Sequence, residues 1–304
     1  MRIAVLGRGE LLYETALHLE RSGHTIACVV TSPGAPEYSR QMEDFIRFAE
    51  DRRIPYATSS ATAAYRHWLA SLHCDVGVSI NFPVILGDSI IQLMRLGILN
   101  AHGGDLPRYR GNACQAWAIL NGENRVGLCV HKMVSERVDE GDIIARDHMD
   151  LSVHTRIGDV WEWMTDRTPH LMLDAVSRLE SDPDFALERW NPQSTPGLRC
   201  YSRYPEDARI DWSLPAERVL RLIKASGRPY RGAFCFVEGF RMTIWDADPL
   251  ESLEDFCAVP GQVLSWSSSH VDVACGEGMV RLTEFAVLGA GKSSIIRSTR
   301  QRLS

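Results

Sequence analysis

Short apolar segments alternate regularly with longer amphipathic ones over the first half of the chain, and this alternation restricts the fold more than any other feature of the sequence. Apolar segments at 2–6, 24–31, 75–80 and 97–102 alternate with predicted helices such as those at 11–21, 61–72 and 89–96. Short strands separated by helices are typical of βαβ units, whose strands lie parallel. The pattern predicts an α/β fold with a Rossmann-like open sheet, mainly parallel, and helices on both of its faces.

The remainder of the chain follows a different pattern. A polar segment rich in proline and glycine begins near residue 191, and beyond it lie one helix-patterned stretch at 215–225 and several short strands. Such a change of composition is typical of a linker between domains. We therefore predict a first domain at 1–190, a linker at 191–207, and a small mainly-β, OB-like domain at 208–304.

Charge and composition exclude several classes of protein. The net charge is −6, and residues 1–198 hold 19 Lys and Arg against 26 Asp and Glu, so nucleic acid is not the expected partner. No apolar run approaches the ~18 residues of a membrane span, and the apolar segment after Arg2 is too short for a secretory signal. We expect a cytoplasmic protein without membrane insertion. The eight scattered cysteines lack metal-ligand spacing, which predicts free thiols and no metal.

A glycine pair follows the first predicted strand, as Gly7-Arg8-Gly9. It fits a dinucleotide fingerprint poorly, because the third glycine of that pattern falls on Leu12 and the second strand ends without an acidic residue. The loop nevertheless lies at the carboxyl end of a strand, where open α/β sheets bind ligands. Arg8 and Gly9 are therefore candidate substrate contacts, and an ordinary surface arginine fits the pattern equally well.

The segment with the strongest chemical signal ends another predicted strand. Alternation along that strand puts Asn100 and His102 on the same face. A carboxamide and an imidazole side by side can donate to one developing oxyanion. Asp139 follows in an Asp-x-Gly turn after a later strand, and a carboxylate near an imidazole favours its protonated form. Each residue alone would more often be structural, whereas together they predict a site that stabilises a developing oxyanion beside a protonated imidazole.

These motifs, in this order, resemble those of the folate-dependent formyltransferase family. The matching segments are Asn100–His102, Leu106–Gly111, His131–Met133 and Asp139–Gly141, and the stretch Arg228–Phe234 resembles the accessory domain of methionyl-tRNA formyltransferases and their sugar-modifying relatives. The resemblance implies that Asn100, His102 and Asp139 are catalytic and that N10-formyltetrahydrofolate is the formyl donor. It implies a pterin pocket formed by Val84, Ile85, Leu86, Asn112, Glu136, Arg137 and Val138.

The positions at which this chain differs from the family motif are the basis for predicting its formyl acceptor. The family usually has Ser-Leu where this chain has Gly104-Asp105, so Asp105 is a candidate contact to a cationic or hydroxylated acceptor, with turn capping as the alternative. Residues 31–40, where a tRNA formyltransferase is expected to carry a basic loop, hold one basic and one acidic residue. This favours a nucleotide-linked amino sugar of surface-polysaccharide synthesis. Methionyl-tRNA, hydroxyornithine and an inactive folate-binding module are the alternatives, and the oligomeric state stays open, a homodimer included.

Overall fold

The computed structural model describes residues 1–191, 197–251, 256–288 and 296–304. Part of the predicted linker, residues 192–196, lies outside the described residues. The strands are β1 (Arg2–Gly7), β2 (Thr25–Val30), β3 (Tyr56–Ala57), β4 (Val76–Ile80), β5 (Ile98–His102), β6 (Tyr109–Gly111), β7 (Arg125–Lys132), β8 (Ile143–Asp150), β9 (Leu198–Cys200), β10 (Ala233–Val237), β11 (Phe240–Leu250), β12 (Val263–Trp266), β13 (Val271–Ala274) and β14 (Met279–Val287). The helices are α1 (Glu10–Arg21), α2 (Met42–Arg52), α3 (Arg66–Ser71), α4 (Asp88–Ile91), α5 (Cys114–Asn121), α6 (Ile157–Ser181) and α7 (Ala216–Ser226).

The N-terminal part is built on a seven-stranded sheet with the order β3-β2-β1-β4-β5-β7-β8. Strands β1 to β5 pair in parallel, and β7 runs antiparallel to β5. The mainly parallel α/β sheet predicted from the sequence is confirmed. Because β1, β4 and β5 are parallel neighbours, their carboxyl ends share one edge of the sheet, the edge at which such folds bind ligands.

The register of the sheet places a row of three polar residues across one face. Ser79 of β4 pairs with Asn100 of β5, and Asn100 pairs with His131 of β7. Residues directly opposite each other on neighbouring strands project to the same face. Towards the amino ends of these strands the same face is apolar, since Ile98 belongs to a buried core cluster. The polar row therefore begins where the hydrophobic core ends.

Two helices differ from the sequence prediction. The stretch at 61–72 is a short 3₁₀ turn followed by α3, interrupted at Tyr65, whose side chain is buried in the core. The stretch at 89–96 contains only the single turn of α4, after which the backbone N–H of Leu96 donates to Asp75 O at 2.8 Å. In both cases tertiary contacts outweigh a helical pattern in the sequence. Helix α5 and the short parallel pair β6–β9 carry no clear pattern and were not predicted.

The C-terminal part contains a five-stranded antiparallel sheet with the order β10-β11-β14-β13-β12. Its core includes Trp212 and Ile223, and the second of these lies on α7. The buried ammonium of Lys224 lies 2.6 Å from a carboxylate oxygen of Asp246. The predicted mainly-β domain is confirmed as an antiparallel sheet.

Contacts within the chain divide it into two compact units. The first comprises Met1–Cys114, Gly127–Met149 and Glu162–Cys200, and the second comprises Gln115–Val126, Asp150–Trp161 and Tyr201–Ser304. The second unit thus takes in two segments from the predicted first domain, and the boundaries given from the sequence stay a prediction. All eight cysteines are free thiols, seven of them buried. Among the described residues, no helix combines the length and apolarity that a bilayer span requires, and no group of three or more His, Cys, Asp or Glu side chains is arranged so that it could hold a metal ion.

Candidate active site

The predicted catalytic residues lie together at the carboxyl end of β5. Asn100 and His102 project from one face of that strand, and Asp139 reaches them from the loop between β7 and β8. The distance from Oδ2 of Asp139 to Nδ1 of His102 is 3.5 Å. The structure therefore brings a carboxamide, an imidazole and a carboxylate into one cluster, in the first of the two units.

Asp139 is held in an unusual backbone conformation. Its φ of 55° lies in the left-handed region, which residues other than glycine seldom occupy. Its Oδ2 accepts a hydrogen bond of 2.8 Å from the backbone N–H of Gly111 in β6, which helps to fix the carboxylate. Residues with a strained backbone are often found at functional sites, where the surrounding structure holds them in place.

The carboxylate of Asp139 stays ionised although its side chain is only 10% exposed. Burial alone would raise its pKa, but the charge of His102, the contacts with His131 and the N–H of Gly111 together hold the pKa well below its usual range. The site thus keeps a fixed negative charge beside its imidazoles. Such a charge stabilises an imidazolium that forms during a reaction.

The two nitrogens of His102 have different partners. Nε2 lies 2.8 Å from the carbonyl oxygen of Tyr109, and since a carbonyl can only accept, Nε2 carries a hydrogen. In the neutral ring Nδ1 is therefore the unprotonated nitrogen, and it faces Asp139. Of the two nitrogens of His102, Nδ1 is therefore the one without a carbonyl partner, and it lies on the side of the carboxylate.

His131 is a member of the site that the sequence analysis did not assign. Its Nε2 lies 3.2 Å from Nδ2 of Asn100 and 3.5 Å from Oδ1 of Asp139, and its side chain is buried. Its Nδ1 lies 3.1 Å from the carbonyl oxygen of Lys132, so Nδ1 carries the hydrogen and Nε2 accepts from the amide of Asn100. This contact orients the carboxamide. The signal in the sequence was that His131, a polar residue, directly follows the apolar stretch Leu128–Val130 at an inward position of the strand.

Gly104 belongs to the packing of the site. A Cβ added there would lie 2.6 Å from the carbonyl oxygen of Tyr109 and would also collide with the ring of His102. The missing side chain lets the imidazole reach its carbonyl partner. The Gly104 departure from the family motif therefore affects the position of His102 in this chain.

The predicted pterin-pocket residues fall into two groups. Val84 and Ile85 are exposed, at 40% and 59%, whereas the side chain of Leu86 is fully buried in the core, so a ligand could reach only its backbone. The loop that holds them is tied to the Asp139 loop, because the backbone N–H of Asp88 donates to Oγ of Ser135 at 3.1 Å. The remaining members, Asn112, Glu136, Arg137 and Val138, lie at the surface or partly buried on the connections after β6 and β7.

The three predicted substrate contacts occupy separate positions. Arg8 donates from Nε to the carbonyl oxygen of Asn81 at 3.0 Å and from Nη1 to that of Pro33 at 2.7 Å, so it bridges two loops at the carboxyl edge. Gly9 precedes α1 and lies under the ring of Tyr38.

The third predicted contact, Asp105, lies beyond the end of β5. Its Oδ1 is 3.2 Å from Nε2 of His148 on β8. Its carboxylate therefore already has one partner within the protein, and the substrate roles of Asp105, Arg8 and Gly9 stay predictions.

Comparisons with known proteins give the family of this chain. The family described as formyl transferase matches residues 1–176, and the family described as formyl transferase, C-terminal domain, matches residues 203–295. The methionyl-tRNA formyltransferase of Lachnospira eligens is 26% identical over 95% of this chain and 93% of its own length.

Among solved structures, the N-formyltransferase of Helicobacter canadensis in complex with folinic acid and dTDP-3-aminofucose is similar with a TM-score of 0.71, at 12% identity, over 93% of this chain and 99% of that one. HypX of Aquifex aeolicus in complex with tetrahydrofolic acid has a TM-score of 0.66 at 21% identity over 95% of this chain, which spans 44% of HypX. At these identities the structures show a shared fold. The sequence match over more than half of the residues goes further: this chain belongs to the formyl transferase family and is a formyl-transferring enzyme.

Proposed function

We propose that this enzyme transfers the formyl group of N10-formyltetrahydrofolate to the amine of a nucleotide-linked amino sugar, with Asn100, His102 and Asp139 as its catalytic residues. Formyl transfer itself follows from the family. The observation that supports the catalytic roles is the convergence of the carboxamide, two imidazoles and one ionised carboxylate within hydrogen-bonding range. The family that matches this chain gives the reaction, and this geometry gives the groups that would carry it out.

In the reaction, the unprotonated amine nitrogen adds to the formyl carbon, and the carbonyl oxygen becomes an oxyanion. Asn100 has two N–H groups, and one of them donates to His131, which leaves the other for the oxyanion. Nδ1 of His102 becomes a second donor only after it has taken the proton of the amine, since Nε2 is committed to Tyr109. A preorganised amide donor at the developing charge is a usual means of stabilising such a transition state.

The reaction also moves one proton. The amine loses it as the new C–N bond forms, and the folate nitrogen gains it as the old C–N bond breaks. Nδ1 of His102 is the nitrogen that can take this proton in the neutral ring, and Asp139 stabilises the resulting imidazolium from 3.5 Å. His102 can therefore serve first as acceptor and then as donor, without any change in its contact to Tyr109.

The surface features next to the catalytic cluster suit a flat heteroaromatic ring. Val84, Ile85 and Val134 are apolar side chains exposed by 40% or more, and the loops that carry them are joined through Ser135. A flat ring with polar groups along its edge binds where exposed apolar side chains lie beside backbone polar groups. We assign the pterin to these two loops, with the backbone of 136–138 providing the polar contacts.

The choice of acceptor rests on how the basic side chains of the first unit are used. Several arginines of the first unit already form ion pairs within the protein, among them Arg40 with Glu14, Arg52 with Glu20, Arg110 with Glu140, Arg146 with Glu188 and Arg189 with Asp142. Binding of tRNA depends on many phosphate contacts, whereas a nucleoside diphosphate needs only a few donors. Arg8 is suited to that task, because its Nη2 donates no hydrogen bond among the described residues.

Methionyl-tRNA is the second candidate acceptor. It is favoured by the named relative that is 26% identical over nearly the whole of both chains, including the C-terminal domain. Release of tetrahydrofolate from N10-formyltetrahydrofolate, measured with dTDP-, UDP- and GDP-linked amino sugars, with methionyl-tRNA and with hydroxyornithine, distinguishes the candidates. Turnover on an amino-sugar nucleotide but not on methionyl-tRNA is the expected result, and the reverse would replace our proposal by the second candidate.

The alternative of an inactive folate-binding module is wrong, because the family that matches this chain is one of formyl-transferring enzymes. Two further expectations from the sequence, a cytoplasmic location and a homodimer, stay predictions. Cell fractionation tests the first, and sedimentation at several protein concentrations tests the second.

A further inference from the structure

The three consecutive residues of strand β6 contact His102, Glu140 and Asp139. The carbonyl of Tyr109 accepts from His102, and the N–H of Gly111 donates to Asp139. The residue between them, Arg110, donates from Nη1 to Oε1 of Glu140. Neighbouring residues of β6 thus bind neighbouring residues of the Asp139 loop.

The guanidinium of Arg110 is confined on several sides. Its side chain is 19% exposed, and its Nε is buried without a hydrogen-bond partner among the described residues. Its central carbon lies 5.4 Å from the ring centroid of Trp190, within the range of a cation–π contact. A Cβ added at Gly197 would collide with the guanidinium, so the chain leaves space for this side chain. Packing of this kind fixes the direction in which Arg110 donates.

Glu140 directly follows Asp139 in the chain and pairs with Arg110. Arg137 also lies near, with Nη1 3.7 Å from Oε2 of Glu140, but its side chain is 57% exposed. Arg110 is the less exposed of the two partners and the one in hydrogen-bond contact, so it is the stronger constraint on Glu140.

The loop also needs to be held in shape. The left-handed backbone of Asp139 carries a conformational cost for a residue with a side chain, and it persists only if neighbouring contacts retain it. The Gly111 hydrogen bond holds the carboxylate of Asp139, and the Arg110 ion pair holds the next residue along the chain. With both contacts made, the loop cannot rotate Asp139 away from the imidazoles without breaking one of them.

We propose that Arg110 is a positioning residue of this formyltransferase, which holds Glu140 so that the carboxylate of Asp139 stays directed at His102 and His131. Arg110 touches none of the reacting atoms in this assignment. The inference rests on the catalytic role proposed above for Asp139. Supporting residues of this kind change the rate by about 10- to 100-fold when they are removed.

The test is a double-mutant cycle on the full chain, with Arg110→Gln, Glu140→Gln and the double variant. We measure kcat, the KM for N10-formyltetrahydrofolate and the melting temperature of each. We expect Arg110→Gln to lower kcat by at least about tenfold with KM changed by less than about threefold, since a misdirected carboxylate affects the transition state rather than folate binding. In the Glu140→Gln background the same change is expected to cost at least about fivefold less, because the residue through which it acts is already altered.

The matched control is Arg52→Gln. Arg52 also pairs with a glutamate, Glu20 at 2.8 Å, and also lies over an aromatic ring, that of Phe48 at 3.9 Å, but on helix α2 rather than in β6. It should leave kcat within about twofold. A comparable loss of kcat in Arg52→Gln would mean that removing any such pair perturbs the enzyme, and would overturn the inference.

Three further outcomes would overturn it: kcat of Arg110→Gln near the wild-type value, a raised KM with unchanged kcat, or an equal cost in both backgrounds. If Arg110→Gln does not fold, the variants Arg110→Lys and Glu140→Gln provide the test. Each of them must lower kcat measurably and leave KM unchanged. Asp139→Asn separates the two proposals. Full activity of Asp139→Asn would refute the catalytic role of Asp139. An inactive Asp139→Asn together with a fully active Arg110→Gln would refute only the positioning role of Arg110.

Discussion

Replacing Asp139 by asparagine removes one negative charge from the centre of the site and leaves the shape of the side chain almost unchanged. The carboxylate lies 3.5 Å from Nδ1 of His102, and the two side chains are 10% and 8% exposed, so solvent screens their interaction weakly. With an effective dielectric constant near 20, two unit charges at this distance attract each other by about 5 kcal/mol. That value is the upper limit of what the imidazolium loses.

The effect on rate follows from this energy. Each 1.4 kcal/mol of lost transition-state stabilisation slows a reaction about tenfold. The dipole of the asparagine side chain replaces part of the lost attraction, and the Gly111 N–H can still donate to its oxygen. We therefore expect kcat to fall by about 10²- to 10³-fold, with little change in the KM for folate.

The assay is tetrahydrofolate release under single-turnover conditions at neutral pH, with Asp142→Asn as the matched control. Asp142 lies in the same loop but accepts from Arg189 at 2.7 Å and from the backbone N–H of Trp190 at 2.8 Å. Its replacement should change kcat by less than about fivefold, because its carboxylate binds these groups instead. A folded Asp139→Asn enzyme as active as this control would refute the reasoning.

The same substitution has a predicted pH dependence of stability. The pKa of Asp139 in the folded protein lies well below its usual value, which is about 3.9 in an unfolded chain. A depressed pKa stabilises the folded state above the unfolded value, and the contribution is lost as the pH falls towards the folded value. Urea unfolding at pH 7 and pH 3 should therefore show a smaller acid-induced loss for Asp139→Asn than for the wild type, and equal losses would contradict the assigned pKa direction.

Three further predictions concern other residues. His131→Ala should lower kcat by about tenfold or more in the same assay, because the catalytic carboxamide loses the partner that orients it, and an unchanged kcat would remove that role. Gly104→Ala should lower kcat by about tenfold or more, as its new methyl group displaces the ring of His102, and retained activity with an unchanged melting temperature would contradict the packing described here. Lys224→Met should destabilise the C-terminal sheet by about 3 kcal/mol in urea unfolding, since it leaves Asp246 without its closest cation, and a loss below about 1 kcal/mol would show that the pair contributes little.

The local sequence pattern was enough to predict the position of part of the site. Asn100 and His102 are two residues apart on one strand, and alternation within a strand is a property of the backbone alone. Their shared face and their place at the carboxyl edge could therefore be predicted without knowing what packs nearby. Asp139 is 37 positions beyond His102, and its place beside the imidazole was expected only from the resemblance to a family.

The contacts that complete the site depend on long-range register. His131 faces Asn100 because β7 pairs antiparallel with β5 in one particular register, and a shift of one residue would turn its side chain to the opposite face. The carbonyl of Tyr109 determines which nitrogen of His102 is protonated, and a backbone carbonyl has no signature in a sequence. The pairing of Arg110 with Glu140 likewise joins residues 30 positions apart across a short strand that no pattern indicated.

The amino-acid sequence by itself determined the layers of this protein, since apolar periodicity depends only on which residues must leave water. It also placed Asn100 and His102 of the candidate active site on one face, because strand geometry relates close neighbours directly. The tertiary structure decided the contacts that Asp139 and His131 make with them, the protonated nitrogen of His102 and the support of the Asp139 loop. Those features depend on strand register and on backbone groups brought together from distant parts of the chain, which local preferences do not encode.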